Sequence, residues 1–277
     1  MSQQDIDYFT RINEEADSEH DRGVAAERLL LTSNQSPQTY EEFLELVFHF
    51  LNIFTEDLEN EAEFYTDQSE DAITNYLAAM FRATGVFTAS GQTYAGGAVD
   101  LTISANSHTW RAEAKIAYSN DKIFEGLIQI LTRYANRDSN KGLLVYVNAG
   151  TFLDKLNNWR TYIGLNGGWA SYASRKQTEH TDAINAILNT ANLSQIENYN
   201  NFDCQFLLPT GRPVTIKNYF INLKFSPSDT SGNSAKKHRE NLAINELKCA
   251  YHEYLENQPE DLDTDKILRL LEMLARD

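Results

Sequence analysis

The 277-residue sequence predicts a mixed α/β fold, a β-sheet with helices on both faces. Before residue 85, apolar residues recur every three to four positions over two long segments, which is the period of helices packed on a core. After Gly85 the period changes to two over three runs. A helical run follows, and then the nearly continuous apolar run "GLLVYVNA", which is typical of a strand buried on both faces.

Two helices are predicted in the first part of the fold. From Thr39 to about Tyr65 the apolar side chains share one face, with acidic residues between them. Ser69 is a favourable N-cap, and "EDAITNYLAAMFRATG" predicts a second helix that ends at Gly85. Residues 1–36 are expected to be loosely structured, apart from a short helix around "GVAAERLLL".

Three strands and a further helix are predicted next. The runs "VFTASGQTY", "AVDLTISA" and "HTWRAEAKIAY" indicate strands, with a glycine-rich join at Gly96 and Gly97 between the first two. A helix is expected from about Asp121 to Ala135, before the buried strand "GLLVYVNA". Residues 151–201 show a weaker pattern, in which "AINAILNTA" is the best helix.

The C-terminal part is expected to form a hairpin and then helices. Residues 202–225 contain two alternating runs around the turn "PTGRP". The chain is helical again from Ser234 to its end, with a break near Pro259. The predicted divisions are an N-terminal helical extension (1–65), a core with a C-terminal hairpin (66–225) and a C-terminal helical extension (226–277).

Composition excludes several classes of protein. No window approaches the roughly 18 apolar residues that a membrane span requires, so we expect no membrane partner. The polar, acidic N-terminus resembles neither a signal peptide nor a transit peptide. Cys204 and Cys249 lack paired spacing, which excludes a cysteine-based zinc site and suits a reducing cytoplasm. The six histidines are scattered, without metal-ligand spacing.

The net charge of −16 bears on how the protein would hold nucleic acid. Proteins that grip DNA alone usually carry a basic surplus, because counterion release from the phosphates drives binding. We therefore expect the nucleic acid to be bound by a local basic patch or by a further subunit. That subunit would be another copy in a homo-oligomer or a companion protein. The basic cluster of note is "SAKKHREN", around Lys236, which either lies near phosphates or forms a solvated helix start.

A group of charged residues interrupts the apolar pattern of the predicted sheet. Glu113 and Lys115 share one face of their strand, because alternate side chains point the same way. Asp100 and Thr102 share a face of the preceding strand. The polar stretch "SANSH" would close the two strands into a hairpin and bring Asp100 opposite Glu113. An isolated Glu-x-Lys is more often a solvated strand face, so the hairpin context carries the prediction.

Two carboxylates and a lysine gathered in this way suit metal-dependent hydrolysis of a phosphodiester. Asp100 and Glu113 can share Mg²⁺, a hard cation that prefers oxygen ligands. Such a metal lowers the pKa of its water and neutralises charge on the attacked phosphate. Lys115 is placed to orient that water or to stabilise the charge of the transition state.

Two further residues are candidates for the same site. Glu70 lies in the first turn of the second predicted helix. It either binds the metal, directly or through water, or only favours the helix N-terminus electrostatically. Gln129 lies off the apolar stripe of its helix, on the side of Glu125 and Arg133. Its amide either holds a phosphate or the attacking water, or it is an exposed polar group.

The ordered motifs "TDQSEDAITNYL", "GGAVDLTI", "RAEAKI" and "FEGLIQILTRYANRDSNKGLLVYV" resemble the PD-(D/E)XK nuclease superfamily. They are most similar to bacterial restriction-endonuclease-like domains whose third strand precedes a helix with a glutamine–leucine…tyrosine signature. Here that signature is Gln129, Ile130 and Tyr134. The resemblance covers about residues 66–150, and Val99 stands where the superfamily's name would suggest proline.

The resemblance implies a restriction-endonuclease-like core and a Mg²⁺-dependent DNA endonuclease, with Mn²⁺ as a substitute metal, in a bacterial or phage-related defence system. It implies that Asp100, Glu113 and Glu70 hold the metal, and that Lys115 and Gln129 complete the catalytic set. Two alternatives stay open. One is a catalytically silent binding or assembly subunit of a defence complex, and the other is an RNase, since the same chemistry cleaves RNA.

Overall fold

The computed structural model describes residues 37–94, 98–133, 139–165, 167–175, 181–226, 233–257 and 263–275. In these ranges the chain forms a seven-stranded mixed sheet flanked by helices, so the predicted α/β class is confirmed. Several sequence predictions lie outside the described residues: the short helix within 1–36, the join at Gly96 and Gly97, the position of Tyr134 and the break at Pro259.

The elements follow the order expected from the sequence, with additional helices in the middle region. The helices of the described residues are α1 (Tyr40–Asn60), α2 (Ala62–Tyr65), α3 (Glu70–Ala83), α4 (Asn120–Arg133), α5 (Phe152–Ile163), α6 (Trp169–Arg175), α7 (Thr181–Leu188), α8 (Asn233–Asn257) and α9 (Thr264–Ala275). The strands are β1 (Thr88–Tyr94), β2 (Ala98–Ala105), β3 (His108–Ile116), β4 (Asn140–Val147), β5 (Asn192–Leu193), β6 (Asn201–Leu207) and β7 (Pro213–Asn222).

Local capping explains where the first helices begin. The Thr39 hydroxyl accepts a hydrogen bond from the Glu42 amide at 3.1 Å, and the Glu42 carboxylate accepts one from the Thr39 amide at 3.3 Å. These two bonds form a capping box at the start of α1. Ser69 caps α3 in the predicted way, since its hydroxyl accepts from the Ala72 amide at 3.2 Å.

The strand order of the sheet is β1-β2-β3-β4-β7-β6-β5. The central strands β3, β4 and β7 run parallel, and the remaining pairs are antiparallel. Strand β4 has parallel neighbours on both sides and is buried from Lys141 to Val147, as its apolar run predicts. Strands β6 and β7 form the predicted hairpin.

Each face of the sheet packs against its own set of helices. One core joins α1 and α3 to the sheet, and its members include Phe43, Phe81 and the fully buried Trp110. The other core joins α4, α5, α6 and α7, with Trp159 buried at its centre. Residues 151–201, for which the sequence predicted few elements, therefore supply much of the second core. No helix of the described ranges is long and apolar enough to span a membrane.

Candidate functional site

The candidate site lies where β2 and β3 stop pairing. Their register ends one pair before Asp100, so the next amides on this edge of β3 pass beyond the paired part of β2. Asp100 Oδ2 accepts a hydrogen bond from the Ala114 amide at 2.9 Å, and Glu70 Oε2 accepts one from the Ile116 amide at 2.9 Å. Two carboxylates thus take the place of strand-to-strand hydrogen bonds, which places both at the sheet edge.

Lys115 lies at the centre of three carboxylates. Its Nζ is 3.3 Å from Glu113 Oε1, 3.4 Å from Glu70 Oε1 and 3.6 Å from Asp100 Oδ2. The Glu113 side chain is only 3% exposed, and those of Lys115 and Asp100 are 15% and 14% exposed. When all four groups are ionised, three negative charges against one positive leave a net charge of −2 in a mostly buried space.

The structure therefore gathers four of the five predicted site residues in one cluster: Asp100, Glu113, Lys115 and Glu70. Asp100 and Glu113 meet across neighbouring strands, within hydrogen-bonding distance of each other. Glu70 reaches the same point from a helix on the opposite face of the sheet, because β2 no longer pairs with β3 there and leaves that edge of β3 open.

Helix α4 approaches the cluster closely through a glycine. A Cβ built on Gly126 would lie 2.8 Å from Lys115 Cγ and 3.1 Å from Lys115 Cε. Gln129 follows one turn later on the same side of α4, because residues three apart share a helix face. It is half-buried, and its Oε1 is buried. The fifth predicted residue thus lies on the helix side that covers the cluster, and it is not the exposed amide of the alternative interpretation.

Three buried polar atoms on this side of the sheet lack a hydrogen-bond partner within the described part of the chain. They are Glu113 Oε2, Gln129 Oε1 and Thr102 Oγ1. Thr102 follows Asp100 on the same face of β2, by strand alternation. Buried polar groups in proteins are usually paired, so these three oxygens are available to accept a hydrogen bond from water. Carboxylate oxygens are the type of ligand that a hard divalent cation prefers.

Burial and charge repulsion perturb the carboxyl groups of the cluster. Burial raises the pKa of Glu113 to about 7, the Asp100 carboxylate adds to this rise, and the Lys115 ammonium opposes it. Burial also raises the pKa of Glu70. Burial lowers the pKa of Lys115, but the three carboxylates outweigh it and leave that pKa above its ordinary value. Lys115 therefore stays cationic at neutral pH, while Glu113 titrates there.

A hydrogen-bond chain under the cluster fixes the first turn of α3. The hydroxyl oxygens of Tyr146, in β4, and Thr74, in α3, lie 2.9 Å apart in the core. The Thr74 hydroxyl donates to the Glu70 carbonyl at 2.8 Å. The sequence did not identify Thr74 and Tyr146 as part of the site. They are 72 positions apart, and each alone resembles an ordinary residue of a protein core.

The carboxylates surround Lys115, and they do not form a ready-made metal cage. Within the described ranges, no group of three or more histidine, cysteine, aspartate or glutamate side chains has a metal-binding arrangement. Asp100 and Glu113 are the pair that fits a shared cation best, because their carboxyl groups meet and Glu113 Oε2 is unpaired. Metal binding by Glu70, which already accepts the Ile116 amide, stays a prediction.

Comparison with known proteins adds no relative to this description. No protein-family model, curated protein or solved structure matches the chain. The fold and the site describe the molecule as an α/β protein with a carboxylate–lysine cluster at the open edge of a central strand.

Proposed function

We propose that this protein is a Mg²⁺-dependent endonuclease that hydrolyses phosphodiester bonds of DNA, with Mn²⁺ as a substitute metal. The proposal includes a restriction-endonuclease-like core within the α/β fold. The observation that carries it is the cluster of three carboxylates around Lys115, with the buried Oε2 of Glu113 left unpaired. Strongly perturbed ionisable groups at an open sheet edge are typical of a catalytic site.

Each side chain has a role that its position supports. Asp100 and Glu113 would hold the metal, which when bound activates water and offsets charge on the phosphate. Lys115 is an ammonium ion at neutral pH, suited to stabilising negative charge that develops on the phosphate. Glu70 holds Lys115 and the β3 backbone in place. Gln129 would accept a hydrogen bond from a water through its unpaired Oε1, or donate one to a phosphate oxygen through Nε2.

The competing interpretation is a silent subunit that keeps the fold for binding or assembly. Burying a net charge of −2 destabilises the folded state, since buried charges are expensive unless they are balanced. A scaffold gains nothing from such a cluster, whereas a metal enzyme needs it. The same chemistry suits RNA and DNA, so RNase activity stays an alternative that the experiment in the next paragraph distinguishes. The defence setting and the additional subunit also stay predictions.

The direct test incubates the full chain with plasmid DNA, single-stranded DNA and RNA in Mg²⁺, Mn²⁺ or EDTA. We expect metal-dependent DNA cleavage that falls at least about 100-fold in Asp100→Asn. Asp154→Asn, at an exposed carboxylate in the first turn of α5, is the matched control and should cleave normally. Cleavage that persists in EDTA or in Asp100→Asn, or that is confined to RNA, would contradict the proposal.

The close approach of α4 gives a second prediction. Gly126→Ala should slow cleavage by about tenfold or more, because the new Cβ displaces the Lys115 stem and small misplacements are costly in catalysis. The free energy of unfolding in urea should change little, since alanine favours helix by about 1 kcal/mol and offsets the crowding. Thr132→Ala, on the exposed side of α4, should match the wild type in both measurements. Wild-type cleavage by Gly126→Ala would show that Lys115 tolerates displacement.

A further inference from the structure

The first half of α8 is fastened beside the candidate site. Asn245 Nδ2 donates to the Thr66 carbonyl at 2.8 Å in a buried contact. Asn241 Nδ2 donates to Asp67 Oδ2 at 3.1 Å, and Lys237 Nζ lies 3.7 Å from the same oxygen. Thr66 and Asp67 shortly precede the capped first turn of α3, from which the glutamate of the site extends. This half of α8 is therefore held by two asparagines, next to the cluster.

The second half of α8 continues past the end of β3 to the start of α4. Cys249 Sγ donates to the carbonyl of Ala117, which follows β3, at 3.7 Å. The Asp121 amide, in the first turn of α4, donates to Glu256 Oε2 at 3.1 Å. The helix thus spans from the N-terminus of α3 to the N-terminus of α4, along the carboxyl end of the strand that carries the site.

Charge is distributed unevenly along α8. Lys236, Lys237 and Arg239 lie in its first two turns, and its first turn has no acidic residue. Cations near a helix N-terminus oppose the helix dipole, so this arrangement weakens the helix slightly. The Lys237 side chain is 70% exposed, and its ion pair with Asp67 at 3.7 Å contributes little. Helix stability therefore does not explain why these basic residues are grouped at the start of α8, in a chain whose net charge is −16.

We propose that the first two turns of α8 bind backbone phosphates of DNA through Lys236 and Lys237, beside the carboxylate–lysine cluster. The position of the DNA rests on the proposed function, whereas the binding itself needs no cleavage. The cluster and the chain as a whole repel a polyanion, so productive binding needs local cations near the scissile bond. Lysine ammonium groups bind phosphate as point charges, and the amides of a helix N-terminus add to this attraction.

The test measures DNA binding by the full chain in EDTA, with the anisotropy of a fluorescein-labelled duplex over a range of salt concentrations. Lys236→Gln combined with Lys237→Gln should raise the Kd for DNA about tenfold. It should also lower the slope of the logarithm of the binding constant against the logarithm of salt concentration by about 2 in magnitude, because each lysine neutralises one phosphate. The double arginine variant keeps the charge and should bind normally. Lys266→Gln combined with Arg269→Gln, on α9, removes the same charge elsewhere and should also bind normally.

The outcomes separate this surface from the nuclease proposal. The proposed surface would be refuted if the double glutamine variant bound DNA at the wild-type Kd, or if the α9 control lost as much DNA binding. Binding to phosphatidylserine vesicles in preference to DNA would also refute it. Lysine-dependent DNA binding without metal-dependent cleavage would support the surface and refute the enzyme. An unchanged melting temperature is expected for both double variants, because Asn241 and Asn245 still hold α8.

Discussion

Lys115→Met is expected to reduce metal-dependent cleavage at least about 100-fold, because it removes the cation that would stabilise charge on the reacting phosphate. The same change should lower the free energy of unfolding by about 2–3 kcal/mol at pH 8. Breaking a buried ion pair costs about 3–5 kcal/mol, and the partial exposure of Lys115 and Glu70 reduces this figure. Three carboxylates would remain without their shared cation.

The pH dependence of this loss has a definite sign. Without Lys115 the pKa values of Glu70 and Glu113 rise further in the folded state, and a raised carboxyl pKa destabilises the fold above the unfolded pKa. The deficit should therefore be largest above about pH 7 and small near pH 4. Urea denaturation at both pH values measures it, and added Mg²⁺ should restore part of the stability at pH 8.

Lys122→Met is the matched control for Lys115→Met. Lys122 is on α4, 41% exposed, and its ion pair with Glu125 at 2.9 Å lies at the surface. We expect less than about 1 kcal/mol of change and normal cleavage. Equal losses in the two variants, or a Lys115→Met deficit that grows toward pH 4, would show that the cluster is not ionised in the arrangement described.

Glu113→Gln is expected to abolish cleavage and yet stabilise the protein in the absence of metal. Burial and the neighbouring Asp100 carboxylate raise the pKa of Glu113 to about 7, so its ionised form destabilises the folded state. The neutral amide removes that repulsion and can donate to the Asp100 carboxylate. We expect a gain of about 1–3 kcal/mol at pH 8, since a tenfold change in a protonation equilibrium corresponds to about 1.4 kcal/mol.

The sign of this effect also follows from linkage. A carboxyl group with a raised folded pKa lowers stability progressively between its unfolded pKa, about 4.5, and its folded value, about 7. The wild-type free energy of unfolding in EDTA should therefore contain a decline over this range that Glu113→Gln lacks. Both proteins should be equally stable near pH 4. Chemical denaturation at half-unit intervals of pH measures the two curves.

Saturating Mg²⁺ provides the contrasting condition for Glu113→Gln. Metal binding favours the ionised carboxylate, so Mg²⁺ should stabilise the wild type and remove most of the advantage of the variant. Asp154→Asn, which changes an exposed carboxylate of α5, serves again as the control and should show neither effect. A Glu113→Gln protein that is less stable than the wild type at pH 8 in EDTA, or that still cleaves DNA, would contradict the role given to Glu113.

Local patterns were sufficient to predict most elements of the fold. The helical pattern from Thr39 and the cap at Ser69 place helix starts within one residue, because both depend on neighbours along the chain. The alternation around Asp100 and Glu113 predicts that they share a face, and the β2–β3 register agrees. The middle region was poorly predicted, because α5 and α6 are short and polar on much of their surface, and their packing partners lie far away in the sequence.

The sequence by itself determined most helices and strands outside residues 151–201, and which charged residues point the same way, since these follow from contacts between near neighbours. Only the tertiary structure decided that β2 stops pairing with β3 before Asp100, that Glu70 reaches around the sheet edge to Ile116, and that Gly126 lets α4 pack closely on Lys115. It also decided that α8 lies beside the cluster. The physical reason is that these contacts join residues far apart in the chain, whose meeting depends on how whole elements pack.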